Sequence, residues 1–133
     1  MKWDIVPTTE EVTLLMEAGM IYRDTGKFEE ARDVFTGVRA LMPQSEVPDV
    51  MLGSVAAYQQ DFTVAQKHYQ RALETNPKSA FALVHMGELA LAQKNSAEAR
   101  TNLKKAMELD PRGDVGKTAR GMLEMTDVLG LEE

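Results

Sequence analysis

The sequence predicts an all-α fold made of repeated helical hairpins, and three observations predict it. Good helix formers (Ala, Leu, Met, Glu, Gln, Lys and Arg) dominate, while aromatic residues make up only 6% of the 133-residue chain. Prolines at 43, 77 and 111 stand 34 residues apart, and so do Gly19, Gly53 and Gly87 and Ala31, Ala65 and Ala99. Two further columns keep the same spacing: Phe35, Tyr69 and Leu103, then Val38, Ala72 and Ala106. A period of this length is the mark of a stacked-repeat architecture.

The elements follow in chain order. Thr8–Glu11 reads as a capping box that opens a first helix over 9–24. Gly26–Lys27 is a short turn, and a second helix runs over 28–41 until Pro43, because the residue before a proline avoids the α region. Helices over 46–59 and 62–75 repeat the pattern around a turn at Gln60–Asp61, with Pro48 tolerated in a first turn. Helices over 80–93 and 96–109 repeat it again around Lys94–Ser96, with Ser96 as candidate N-cap. Val115, Ala119, Met122, Leu123 and Leu129 form the apolar stripe of a seventh helix over 114–129, weakened by Gly116 and Gly121. It is expected to cover the open end of the stack, since a terminal repeat otherwise exposes its apolar face. Trp3, Ile5 and Val6 lie outside the repeats and are expected to fold over the other end or to meet a partner.

A glycine inside a helix costs about 1 kcal/mol against alanine, so the glycine column needs a packing reason. The expected reason is a close crossing of the two helices of one hairpin at Gly87 and Ala99. Ala72 is expected to serve the same purpose between one hairpin and the next.

A 34-residue helix–turn–helix period is that of the tetratricopeptide repeat, and the third copy resembles that family directly. Leu83, Met86, Gly87, Ala99, Leu103, Ala106 and Pro111 fall at the family's signature offsets. Ala18, Ala56, Ala90 and Val38 depart from the pattern, whereas Tyr22 keeps its tyrosine. The resemblance implies a right-handed superhelix of three repeats, at 12–45, 46–79 and 80–113, and a C-terminal capping helix at 114–129. All of 1–133 is then one domain.

The totals restrict function. A net charge of −6 disfavours nucleic acid and anionic membrane surfaces as partners. No stretch is apolar enough for a signal peptide or a bilayer span, and no cysteine is present, so a cytoplasmic setting is expected. His68 and His85 stand on different repeats with no second ligand at metal spacing, and are read as surface or groove histidines. Glu10–Glu11 and Glu29–Glu30 open helices, where carboxylates favour the positive dipole end, and are read as capping charges. There is no phosphate loop and no nucleophile elbow. No catalytic residue, metal or cofactor is expected, and the chain is read as a non-catalytic module that binds a protein or peptide.

The resemblance also implies which positions line the concave face. In the first repeat they are Thr13, Met16, Glu17, Met20, Arg23 and Asp24; in the second, Val47, Val50, Met51, Ser54, Ala57 and Tyr58. In the third they are Phe81, Val84, His85, Glu88, Leu91 and Ala92. The partner-binding groove is therefore expected at Met16, Met20, Val50, Met51, Tyr58, Phe81, Val84, His85, Glu88 and Leu91. The alternative is that part of this lining is core, or is covered by the chain's own ends. The lining is mostly apolar and includes adaptable methionines, which suits an apolar or amphipathic segment. Heat-shock co-chaperones of the family clamp a C-terminal carboxylate with Lys and Asn, but Met16, Val50, Val84, Met20, Ser54 and Glu88 stand at those positions here.

A looser resemblance is to the small tetratricopeptide chaperones of bacterial type III secretion. "ARDVFTGVRALMP", "MLGSVAAYQQDFTVAQKHYQRA" and "ARGMLEMTDVLG" are similar to stretches of their translocator-binding class. That class carries an extra N-terminal helix used in dimerisation where this chain has only a few residues, so monomer and homodimer both stay open. The resemblance implies a protein that holds an aggregation-prone secreted partner before export. The rival reading is a generic adaptor or assembly subunit in a stable complex.

Overall fold

In the chain's computed structural model, residues 6–128 are described, and they form seven helices with no strand among them. The helices are α1 (Thr9–Asp24), α2 (Phe28–Leu41), α3 (Val47–Tyr58), α4 (Phe62–Thr75), α5 (Ala80–Ala92), α6 (Ser96–Leu109) and α7 (Asp114–Val128). Trp3, Ile5 and Leu129 lie outside the described residues. None of these helices is long and apolar enough to cross a membrane.

Local chemistry sets the helix starts. The Thr8 hydroxyl accepts from the Glu11 amide at 3.1 Å, and the Glu11 carboxylate accepts from the Thr8 amide at 3.1 Å. These two bonds complete the expected capping box and hold the Glu11 carboxyl below its ordinary value. Asp61 caps α4 and Ser79 caps α5, through the amides of Val64 and Ala82. At α6 the expectation needs correction. Asn95 is the cap, accepting from the Glu98 amide at 3.1 Å, while Ser96 is already helical and its buried hydroxyl has no partner. Asparagine caps as well as serine does, and it stands one residue earlier.

The three intra-hairpin turns share one backbone solution. Gly26, Gln60 and Lys94, each 34 residues from the next, have φ of 81°, 62° and 61°. Only Gly26 adopts this left-handed conformation without steric cost.

The hairpins α1–α2, α3–α4 and α5–α6 stack in order, which fits the expected superhelix. The odd-numbered helices also touch one another, α1 with α3, α3 with α5, and α5 with α7. No such contact joins α2 to α4 or α4 to α6. The first helices of the hairpins therefore form an inner layer and the second helices splay apart on the outside. α7 packs on both α5 and α6, in the place a fourth inner helix would take. Val115, Met122 and Leu123 lie there against Leu83, Leu103 and Ala119.

The glycine column has a more specific role than a close crossing with alanine. A Cβ on Gly87 would stand 2.7 Å from a methyl of Leu103, and one on Gly19 would stand 2.5 Å from the Phe35 ring. At Gly53 it would run into the Tyr69 ring and approach the Ala65 carbonyl at 3.1 Å. Each glycine is thus the socket for the largest fully buried side chain of its own partner helix. Ala72 is fully buried with Ala82 and Leu89 of the next inner helix, as a small residue between hairpins should be. In α7, Gly116 is required for another reason: the Asp110 carbonyl lies where its Cβ would be.

Candidate groove on the inner helix layer

The inner layer has two seams that are equivalent by the repeat, α1 against α3 and α3 against α5. In the first, Arg23 of α1 is buried and fills the gap. Its Nη1 donates to the Ser54 hydroxyl at 2.7 Å, its Nε donates to Asp24 at 2.9 Å, and its guanidinium lies 4.5 Å from the centre of the Tyr58 ring. The seam is thus tied by a charge-assisted hydrogen bond and a cation–π contact.

In the second seam the residue 34 positions after Arg23 is Ala57. Its methyl leaves the space empty, and a cleft of about 200 Å³ opens between α3 and α5. Ala57 and Tyr58 form one wall, and His85, Glu88 and Ala92 form the other. Phe62 and Tyr69 of α4 reach it from below. Tyr58 and Glu88 are exposed, while Phe62 and His85 are half-buried. The His85 ring stands edge-on to Phe81 at 4.6 Å and 5.9 Å from Tyr69. Its Nδ1 lies 3.0 Å from the Phe81 carbonyl. A carbonyl can only accept, so Nδ1 carries the proton of that bond. Tyr69 is buried, which raises its phenol above the ordinary value; the Glu88 carboxylate pushes the same way and Arg23 opposes it.

Of the ten residues expected to line the groove, Tyr58, His85 and Glu88 line this cleft together. Met16, Met20, Phe81 and Leu91 are exposed or half-buried elsewhere along the inner helices. Val50, Met51 and Val84 are 0%, 3% and 4% exposed and belong to the core clusters, so a ligand does not reach them here. Their columns face neighbouring helices once the hairpins stack. Five cleft residues, Ala57, Phe62, Tyr69, Leu89 and Ala92, were not among the ten. The column of Arg23, Ala57 and Leu91 carried a signal for the opening, since only its middle member is small.

His68 lies away from the groove. Its Nδ1 is 3.7 Å from the buried Asp49 carboxylate, which also meets Arg39 at 3.1 Å and Arg71 at 3.8 Å. This cluster ties α2, α3 and α4 together. Burial lowers the His68 pKa, Asp49 opposes that, and the two arginines add to it.

No curated protein sequence matches the chain. Among solved structures, the first TPR domain of Spaghetti, bound to an HSP90 peptide, is similar with a TM-score of 0.69 and 23% identity, covering 96% of this chain and 99% of that one. The type III secretion translocator chaperone SycD of Yersinia enterocolitica is similar with a TM-score of 0.73 and 21% identity, over 89% of this chain and 91% of that one. PcrH in complex with the chaperone binding region of PopD has a TM-score of 0.69 and 16% identity, over 93% and 96%. At these identities the likeness is one of fold. Two tetratricopeptide repeat family models match the sequence itself, over residues 12–37 and 50–114. With the 34-residue columns, the stacked hairpins and these matches in agreement, the chain belongs to the tetratricopeptide repeat family.

Proposed function

We propose that the protein holds an apolar or amphipathic segment of a partner protein against its inner helix layer, seated at the α3–α5 cleft. The observation that carries this reading is the open second seam beside a filled first seam. Tyr58, Phe62, Leu89 and Ala92 offer apolar surface to one anchoring side chain, and Met20 is a further exposed apolar residue on α1. A fully buried anchor contributes about 1.5–3 kcal/mol, so two or three anchors support micromolar binding once ordering costs are subtracted.

The finer reading is a chaperone of the type III secretion kind, acting in the cytoplasm on a secreted client. Its support is the fold shared with SycD and with PcrH, the latter solved with the chaperone binding region of PopD. A net charge of −6 suits a protein that keeps an apolar client soluble. A homodimer belongs to the same reading, since one SycD structure is described as an alternative dimer. The second reading is an adaptor that docks a peptide of a standing partner, as the Spaghetti domain does with its HSP90 peptide. A client released on export separates the first reading from the second, in which the complex persists.

Selection of displayed random 12-residue peptides tests the groove itself. The wild type is expected to enrich sequences with two or three spaced apolar residues. Ala92→Glu, on the cleft wall, should weaken those peptides at least tenfold without lowering the melting temperature. Leu109→Glu, on the exposed side of α6, should change neither. Absence of enrichment, or full-strength binding by Ala92→Glu, overturns the reading.

A further inference from the structure

Three polar groups face the otherwise apolar α3–α5 cleft, and the apolar reading leaves them without a role. Tyr69 is only 2% exposed, yet its hydroxyl makes no hydrogen bond among the described residues and the side chain lines the cleft. His85 is committed at Nδ1 to the Phe81 carbonyl, so the neutral ring presents Nε2 as an acceptor. Glu88, one turn further along α5, is an exposed carboxylate with no ion pair or hydrogen bond among the described residues. A carboxylate accepts only, and the Tyr69 oxygen can accept as well as donate.

No nearby cation serves these acceptors. Arg23 is already engaged with Ser54, Asp24 and the Tyr58 ring. The inner helices α1, α3 and α5 are also acidic, with Glu10, Glu11, Glu17, Asp24, Asp49 and Glu88 against Arg23. The Tyr69 hydroxyl is not sealed off, so a ligand entering the cleft reaches its unpaired oxygen. Three acceptors lining one aliphatic and aromatic cleft match a group with three N–H donors on a long apolar stem.

We propose that the cleft is a lysine-accepting subsite, in which a partner's ammonium donates to the Glu88 carboxylate, the Tyr69 hydroxyl oxygen and His85 Nε2. The methylene stem lies along Tyr58, Phe62 and Leu89. The segment held in the groove is then apolar with one lysine at a fixed place, and an acidic residue at that place is excluded by Glu88. This deepens the proposed function and rests on it.

The probes are 12-residue peptides selected on the wild type, each remade with norleucine, arginine or glutamate in place of its lysine. Enriched peptides should share a lysine at one spacing from their apolar residues. The norleucine form should bind the wild type at least tenfold more weakly, and on Glu88→Gln that gap should shrink to about threefold. Tyr69→Phe should weaken the lysine peptide about threefold and leave the norleucine peptide unchanged. Phenylalanine fits that position, since Phe35 occupies it in the first hairpin. The proposal is overturned if norleucine or glutamate matches lysine on the wild type, or if arginine replaces it without loss. In those cases peptides still bind and Ala92→Glu still weakens them, so the groove stands and only the subsite falls. If no peptide binds at all, the groove reading fails and the subsite with it.

Discussion

The α1–α3 and α3–α5 seams are built from the same repeat, and only one of them is open. Arg23 and Ala57 occupy the same column, and the difference between a guanidinium and a methyl decides whether the space is filled. In the filled seam Ser54 and Tyr58 are occupied by Arg23; in the open one their counterparts, Glu88 and Ala92, face the cleft. A repeat fixes the frame of a binding face, while a single position in each copy fixes where that face can accept a side chain.

The sharpest way to break the comparison is at the floor of the open seam. Gly53→Leu forces a side chain into the Tyr69 ring, and overpacking of this kind should cost about 3 kcal/mol in urea unfolding. Unchanged stability would mean that the glycine column is not a socket. Next, Arg23→Ala should open the first seam and leave the buried Ser54 hydroxyl without its partner, costing about 1–3 kcal/mol. A loss below a few tenths would show that the plug is dispensable. The converse change, Ala57→Arg, should fill the second seam and weaken peptide binding about tenfold, or about 1.4 kcal/mol, without loss of helicity.

The smallest effect concerns pH. His68 is held below its ordinary value of 6.5 by burial, so the unfolded chain takes up a proton that the folded chain refuses. The stability this contributes is complete above 6.5 and is lost as pH falls below it through the folded value. Between pH 7.5 and 5.5 the wild type should lose more stability than His68→Gln, and parallel curves would contradict the account.

Much of the fold was legible in the sequence because its determinants are local. Caps, turn residues and prolines act within a few positions, so the expected helix limits fall within one residue of the observed ones in the described region. Exposure was not legible in the same way, because it depends on which neighbour a column meets. Ile21, Val55 and Leu89 share a column, yet they are 62%, 0% and 2% exposed. Each inner helix turns that column toward the hairpin before it, and α1 has none among the described residues. The same physics moved Val50, Met51 and Val84 from the expected lining into the core. The acceptor set of the cleft was beyond the sequence, since it joins α4 to α5 and depends on a histidine hydrogen bond within one helix turn.

The most direct test of the central claim is an amide chemical-shift map of the protein titrated with a selected 12-residue peptide. The account predicts shifts concentrated at Ala57, Tyr58, Phe62, His85, Glu88 and Ala92, with Lys67, Arg71 and Leu109 on the outer helices unmoved. Shifts confined to the outer helices, with the cleft residues unchanged, would contradict it.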